Sequence, residues 1–123
     1  MLRVIKALRK EYLNFSSFTN AIDGPRGPIF EVKPGIVQIS RLAQVPIVPM
    51  VFVVSRYWQL TSWDRCCIPK PFATVYVAPC EPFIVDADLP KEKVSEVANT
   101  VRDVMLAKER ELREFYNFPE IKH

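Results

Sequence analysis

The chain is organised around one stretch, Asp23-Gly24-Pro25-Arg26-Gly27-Pro28, which is followed after a short interval by Lys33-Pro34-Gly35. These two segments contain all three glycines of the chain and three of its eleven prolines. Glycine permits tight turns and proline fixes φ, so the segment is predicted to be a stiff turn that carries Arg26. A planar guanidinium held in this way suits bidentate contact with a phosphate or a carboxylate. The alternative is a structural turn in which Asp23 and Arg26 pair with each other or with the backbone.

A helix is predicted to begin at Pro34, because the missing N–H of proline costs least at the first helical position. Its apolar residues run from Ile36 to Ala43, and the helix is expected to end near Gln44. The positive end of this helix would lie near Arg26 and Lys33, and a helix N-terminus with two cations predicts an anion-binding site.

Composition limits the functions that the chain can have. It has 123 residues, 49% of them hydrophobic, which predicts one domain over residues 1–123 with a core of its own. The net charge of +3 suits an anionic ligand or membrane surface and does not by itself indicate nucleic acid. No apolar run approaches the roughly 20 residues of a spanning helix. Three cysteines without a Cys-x-x-Cys motif predict reduced thiols and a cytoplasmic protein.

Several kinds of catalytic site are missing from the sequence. It contains no Gly-Lys-Ser/Thr phosphate loop, no dinucleotide fingerprint, no Gly-x-Ser-x-Gly elbow and no zinc-ligand spacing. The single histidine, His123, is the last residue and a poor candidate for a general base. The sequence therefore predicts no catalytic residue, no metal and no cofactor within this chain.

The periodicity of apolar residues predicts alternating helices and strands. An amphipathic helix is expected over residues 1–13, strands at 18–22 and 73–78, extended chain at 29–32, a buried strand at 46–55 and an irregular segment at 56–72. A long helix is expected from Pro90 to Asn117. Its predicted core stripe is Val94, Val97, Ala98, Val101, Val104, Met105, Leu112 and Phe115, with Arg102, Arg110 and Arg113 on the solvent side. This alternation predicts an α/β fold with helices layered on a mostly parallel sheet.

Five blocks in the same order resemble a known family. They are Asp-Gly-Pro-Arg-Gly-Pro at 23–28, Val-Lys-Pro-Gly-Ile-Val at 32–37, Val-Pro-Ile-Val-Pro at 45–49, Ser-Trp-Asp-Arg at 62–65 and Ile-Pro-Lys-Pro-Phe at 68–72. Together they look like the bacterial lysophospholipid-acyltransferase-like family, in a branch related to lipid A and glycerolipid acyltransferases. The resemblance covers roughly residues 21–83.

The resemblance implies an activity and a site. Members of the family transfer a fatty acyl chain from acyl carrier protein or coenzyme A to a hydroxyl of a lysophospholipid or lipid A-type acceptor, in phospholipid or lipid metabolism. Their Glu-Gly-Thr-Arg motif holds the acceptor phosphate, and Asp23, Gly24 and Arg26 fall on its Glu, Gly and Arg. With Gly27 and Lys33, these residues form the predicted acceptor-phosphate site. The resemblance also implies a peripheral protein on the inner face of the cytoplasmic membrane.

The family's catalytic histidine and aspartate lie upstream of this motif and have no counterpart here. The resemblance therefore implies the C-terminal portion of an acyltransferase-like domain, a partial domain whose N-terminal catalytic part is absent and whose sheet would expose apolar surface. Two alternatives stay open: a non-catalytic module that binds anionic lipid, and a nucleic-acid-binding protein that uses the basic aromatic segment 56–72, although its modest charge predicts no nucleic-acid partner. Trp58, Trp63, Tyr57 and Lys70 in that segment either lie at a membrane interface or pack against the sheet.

Overall fold

The computed structural model describes residues 1–11, 19, 21 and 28–120. In this part of the chain there are three α-helices and four short strands. In chain order they are α1 (Leu2–Glu11), α2 (Pro34–Ala43), β1 (Met50–Val54), β2 (Tyr57–Gln59), β3 (Cys67–Pro69), β4 (Val75–Pro79) and α3 (Val94–Phe115), the last preceded by a 3₁₀ turn at Lys91–Lys93.

The four strands form one long antiparallel hairpin. β1 pairs with β4 from Met50 opposite Pro79 to Val54 opposite Val75, and β2 pairs with β3 from Tyr57 opposite Pro69 to Gln59 opposite Cys67. Between the two ladders, the amide of Ser55 donates to the carbonyl of Thr74 at 3.0 Å. The ladder of β1 and β4 is thus the base of the hairpin, which we call the hairpin base, and the ladder of β2 and β3 is its far end. The chain reverses between Leu60 and Cys66.

The predicted α/β fold with a mostly parallel sheet is wrong. In the described residues both ladders are antiparallel, and the architecture is a small α+β fold. The error arises in residues 56–72, which were expected to be irregular but contain β2, a turn and β3. Parallel neighbours need a long crossover, usually a helix, whereas β1 and β4 are joined only by this strand-and-turn segment.

The hairpin base packs on one part of α3, and α2 packs on another. The core lies at these two contacts. The largest buried cluster contains Val32, Val37, Val85, Val94, Ala98 and Val101. A second cluster of Ile5, Leu8 and Ala43 holds α1 on α2. A third joins Val51, Val53 and Cys80 of the hairpin base to Val104, Met105 and Leu112 of α3.

β1 is only half buried, although its apolar sequence predicted a strand buried on both sides. Val51 and Val53 are 5% and 0% exposed, whereas Phe52 between them is 58% exposed. Side chains alternate across a strand, so the first two face α3 and Phe52 faces away from it. Pro49 precedes the strand, and regular pairing starts at Met50 rather than at Pro46.

The predicted helices are confirmed, with corrections at their ends. α1 and α2 occupy the expected segments, and Pro34 lies at the start of α2. α3 begins only at Val94, and Asn117 has a left-handed φ of 54° where the helix stops. Two residues of α3 were assigned to the wrong side of the helix. Phe115, predicted in the core stripe, is 79% exposed, and Arg113, predicted on the solvent side, is 6% exposed.

Two short segments before α2 were also predicted. Residues 29–32, expected to be extended, begin with a turn in which Phe30 has a left-handed φ of 61°. The strand predicted at 18–22 falls almost wholly outside the described residues.

Candidate functional site

Lys33 occupies the position that the sequence predicted, immediately before α2. It is the N-cap residue, with extended backbone and no side-chain capping bond to the helix. Its ammonium group lies 2.8 Å from Oε1 of Glu31, and the two side chains are 40% and 48% exposed. The Lys33 ammonium group therefore already has a carboxylate as its partner.

This ion pair bears on the predicted phosphate site, because a bound phosphate would compete with Glu31 for Lys33. Exposed pairs of this kind contribute only about 0–1 kcal/mol. A dianionic phosphate could displace the Glu31 carboxylate at small cost. The other predicted site residues, Asp23, Gly24, Arg26 and Gly27, lie outside the described residues. The predicted approach of Arg26 to Lys33 stays a prediction.

Residues 56–72 form a projecting part of the hairpin, which we call the hairpin arm. It turns large apolar side chains outward: Trp58, Leu60, Trp63, Ile68 and Phe72 are 43–98% exposed. Phe72 is the extreme case, at 98%, and its backbone is left-handed with φ of 60°. Trp58 and Trp63 were expected in an irregular segment, whereas β2 displays Trp58 and the turn between β2 and β3 displays Trp63.

Cations accompany the exposed aromatic rings of the hairpin arm. Lys70 Nζ lies 5.9 Å from the centroid of the Trp58 ring, a cation–π arrangement. The Arg56 guanidinium donates to the carbonyl of Phe72 at 3.2 Å, and Arg65 is exposed near the tip. Asp64 is the arm's one acid and accepts from the Ser62 hydroxyl, a bond that lowers the pKa of its carboxyl. The arm is thus cationic and apolar together.

The inner side of the hairpin arm is fastened to the end of α3. The guanidinium of Arg113 lies 6.0 Å from the Tyr57 ring centroid, and the Tyr57 hydroxyl donates to the carbonyl of Glu120 at 2.9 Å. Arg113 also pairs with Glu109 at 2.9 Å and donates to the Pro119 carbonyl at 2.8 Å. Burial, followed by the nearby Cys67, raises the pKa of Tyr57. This contact fixes which side of the arm faces outward.

A groove of about 630 Å³ runs between the turn at Ile29 and Phe30 and the last turns of α3. Its charged lining contains Arg110 and Arg113 but also three acids. The acids are Glu109, Glu114 and Glu120. Since Arg113 is already paired with Glu109, this groove is poorly suited to an anion.

The described residues contain no group of three or more His, Cys, Asp or Glu side chains placed to hold a metal ion. No helix among them is long and apolar enough to cross a bilayer. The three cysteines are unpaired, and burial raises the pKa of the Cys80 thiol, which lies in the core.

Comparison with known proteins gives one informative relative. The chain is 35% identical over 94 residues to an uncharacterized protein of Rickettsia prowazekii (strain Madrid E). The match covers 74% of this chain but 43% of the relative, so this chain spans less than half of that protein's length. No family model matches the chain, and no solved structure matches it.

Proposed function

We propose that this chain is the acceptor-binding part of a lysophospholipid-acyltransferase-like protein and that it works on the surface of an anionic membrane. The observation that supports this most directly is the hairpin arm, which displays two tryptophans and Phe72 beside Arg56, Arg65 and Lys70. Aromatic rings and long cationic side chains are favoured together at the boundary between lipid and water.

The activity proposed for the complete protein is acyl transfer from acyl carrier protein or coenzyme A to a lysophospholipid or lipid A-type acceptor. It rests on the ordered motifs between residues 21 and 83. In this proposal Arg26 and Lys33 hold the acceptor phosphate, while Asp23, Gly24 and Gly27 shape the turn. The histidine and aspartate that act on the acceptor hydroxyl would come from polypeptide outside this sequence.

The hairpin arm has the charge and apolar area needed for reversible membrane binding. Each Lys or Arg near an anionic surface contributes about 1 kcal/mol, so three cations against Asp64 supply about 2 kcal/mol. Two half-exposed tryptophans, each with roughly 100 Å² still to bury, add about 5 kcal/mol when they leave water completely, at roughly 25 cal/mol per Å². The charge contribution falls with added salt, but the apolar contribution does not.

Replacing both Trp58 and Trp63 by alanine should weaken binding to vesicles of phosphatidylglycerol and phosphatidylcholine by about tenfold or more. Cosedimentation is the suitable measurement, because the variant has no tryptophan fluorescence. Phe115→Ala is the matched control, since Phe115 is an exposed aromatic residue on α3, outside the arm. Equal binding by the double variant and the wild type at every salt concentration would disprove the role of the arm.

The phosphate site makes a separate prediction. Arg26→Ala and Lys33→Ala should each weaken binding of monomeric lysophosphatidic acid by about tenfold or more, because hydrogen bonds to charged groups contribute about 1.5–3 kcal/mol. Isothermal calorimetry measures this without a membrane. Arg3→Ala removes an exposed cation from α1 and should leave the affinity unchanged. If all three variants bound equally, the phosphate site would lie elsewhere.

The second candidate is a module that binds anionic lipid without catalysis. It is favoured by the hairpin arm, whose exposed aromatic rings and cations suit lipid binding and require no catalytic residue. A labelled acyl thioester distinguishes the two candidates. The acyltransferase proposal requires transfer to lysophospholipid once the missing part of the protein is added, and the module allows none under any condition.

A further inference from the structure

The hairpin base has an apolar side on which four large side chains remain about half exposed. Met50, Phe52, Val75 and Val77 are 44–58% exposed, and we call these four residues the outer face. Phe52 lies opposite Val77 in the ladder, and Met50 lies one alternate position away on the same side. None of the four is charged, and exposed apolar patches of this kind mark interaction sites.

The same ladder also has open edges. β1 and β4 form a sheet of two strands within the described residues, so each has one side without a paired neighbour there. Backbone N–H and C=O groups along such edges are ready to pair with another strand. A two-stranded hairpin is itself marginally stable, and further strands or a covering layer are what usually stabilise it.

The Rickettsia relative supplies a candidate occupant for this surface. More than half of that protein lies outside its match to this chain. We infer that the outer face docks a polypeptide segment equivalent to that unmatched part, which adds a strand to an open edge of the hairpin base and covers Phe52 and Val77. Adding a strand to an exposed sheet edge is an established mode of protein recognition.

A protein fits the outer face better than a lipid surface does. The four side chains include no cation, tryptophan or tyrosine, which distinguishes this face from the hairpin arm. Hydrocarbon also offers no hydrogen-bonding groups for an open strand edge, whereas a polypeptide supplies them. This inference does not depend on the acyltransferase proposal, because it uses only the sheet and the relative's length.

The test is to coexpress this chain with a separate polypeptide carrying the unmatched part of the Rickettsia protein. Size-exclusion chromatography with light scattering should show a one-to-one complex. Phe52→Lys should weaken that complex by about thirtyfold or more, as expected for a central interface residue. Phe115→Lys makes the same change at an exposed phenylalanine of α3 and should leave the complex intact.

A labelling experiment keeps the test decisive if Phe52→Lys aggregates. In a Cys66→Ser, Cys67→Ser background, Phe52→Cys should react with maleimide about tenfold more slowly in the complex than in the chain alone. Phe115→Cys should react at the same rate in both. A homodimer that protects position 52 without the partner would overturn the inference, and so would unchanged labelling at position 52 after coexpression. Neither result would alter vesicle binding by the hairpin arm.

Discussion

Replacing Arg113 by alanine should lower the free energy of unfolding by about 3 kcal/mol, in the range found when one partner of a buried ion pair is removed. Arg113 is 6% exposed and joins Glu109, the Pro119 carbonyl and the Tyr57 ring. Its loss leaves the Glu109 carboxylate partly buried without its cation. Urea unfolding followed by circular dichroism measures the change.

Arg110 provides the control for this prediction, because it is the same residue type on the same helix and is exposed. Arg110→Ala should change the free energy of unfolding by less than about 0.5 kcal/mol. If the two variants were equally stable, Arg113 would not be the residue that holds the hairpin arm on α3. A loss of stability in Arg113→Ala should also weaken vesicle binding, since the arm would no longer be held with its tryptophans outward.

Val53→Asp should destabilise the protein by more than about 4 kcal/mol and leave it unfolded or insoluble. Val53 is 0% exposed in the cluster that joins the hairpin base to α3, and a carboxylate there would lack any partner. The measurement is the yield of soluble protein and its thermal unfolding.

Phe52→Asp is the matched change on the neighbouring residue, whose side chain points to the opposite side of the sheet. It should keep the fold and raise the solubility of the isolated chain, because it interrupts the outer face. The pair of variants thus reports the orientation of β1 directly. Equal damage at positions 52 and 53 would mean that both sides of the strand are buried, as the apolar sequence first suggested.

The helices could be predicted because their signals are local. Pro34 marks the start of α2, and the stripe around Val94, Ala98 and Val101 is the buried side of α3. The hairpin could not be predicted in the same way, since residues 56–72 contain prolines, mixed charges and no clear alternation. Its strands form because each pairs with the other, and the Arg56 guanidinium donates to the Phe72 carbonyl between β3 and β4.

The candidate site was predictable in part. The sequence indicated Lys33 at a helix start, and the structure places it there. It did not indicate that Glu31 would pair with Lys33, because the turn at Phe30 that precedes them was expected to be extended. The role of Arg113 was also missed. Its charge predicted solvent, and only the packing of the hairpin arm against α3 shows why it is buried.

Phe72, in the turn between β3 and β4, combines a strained backbone with a fully exposed ring. A bulky residue in the left-handed region costs about 1 kcal/mol or more, which glycine would avoid. Its ring recovers nothing from burial, since the residue is 98% exposed. The strained backbone at Phe72 therefore benefits the protein only when the exposed ring binds something outside the chain.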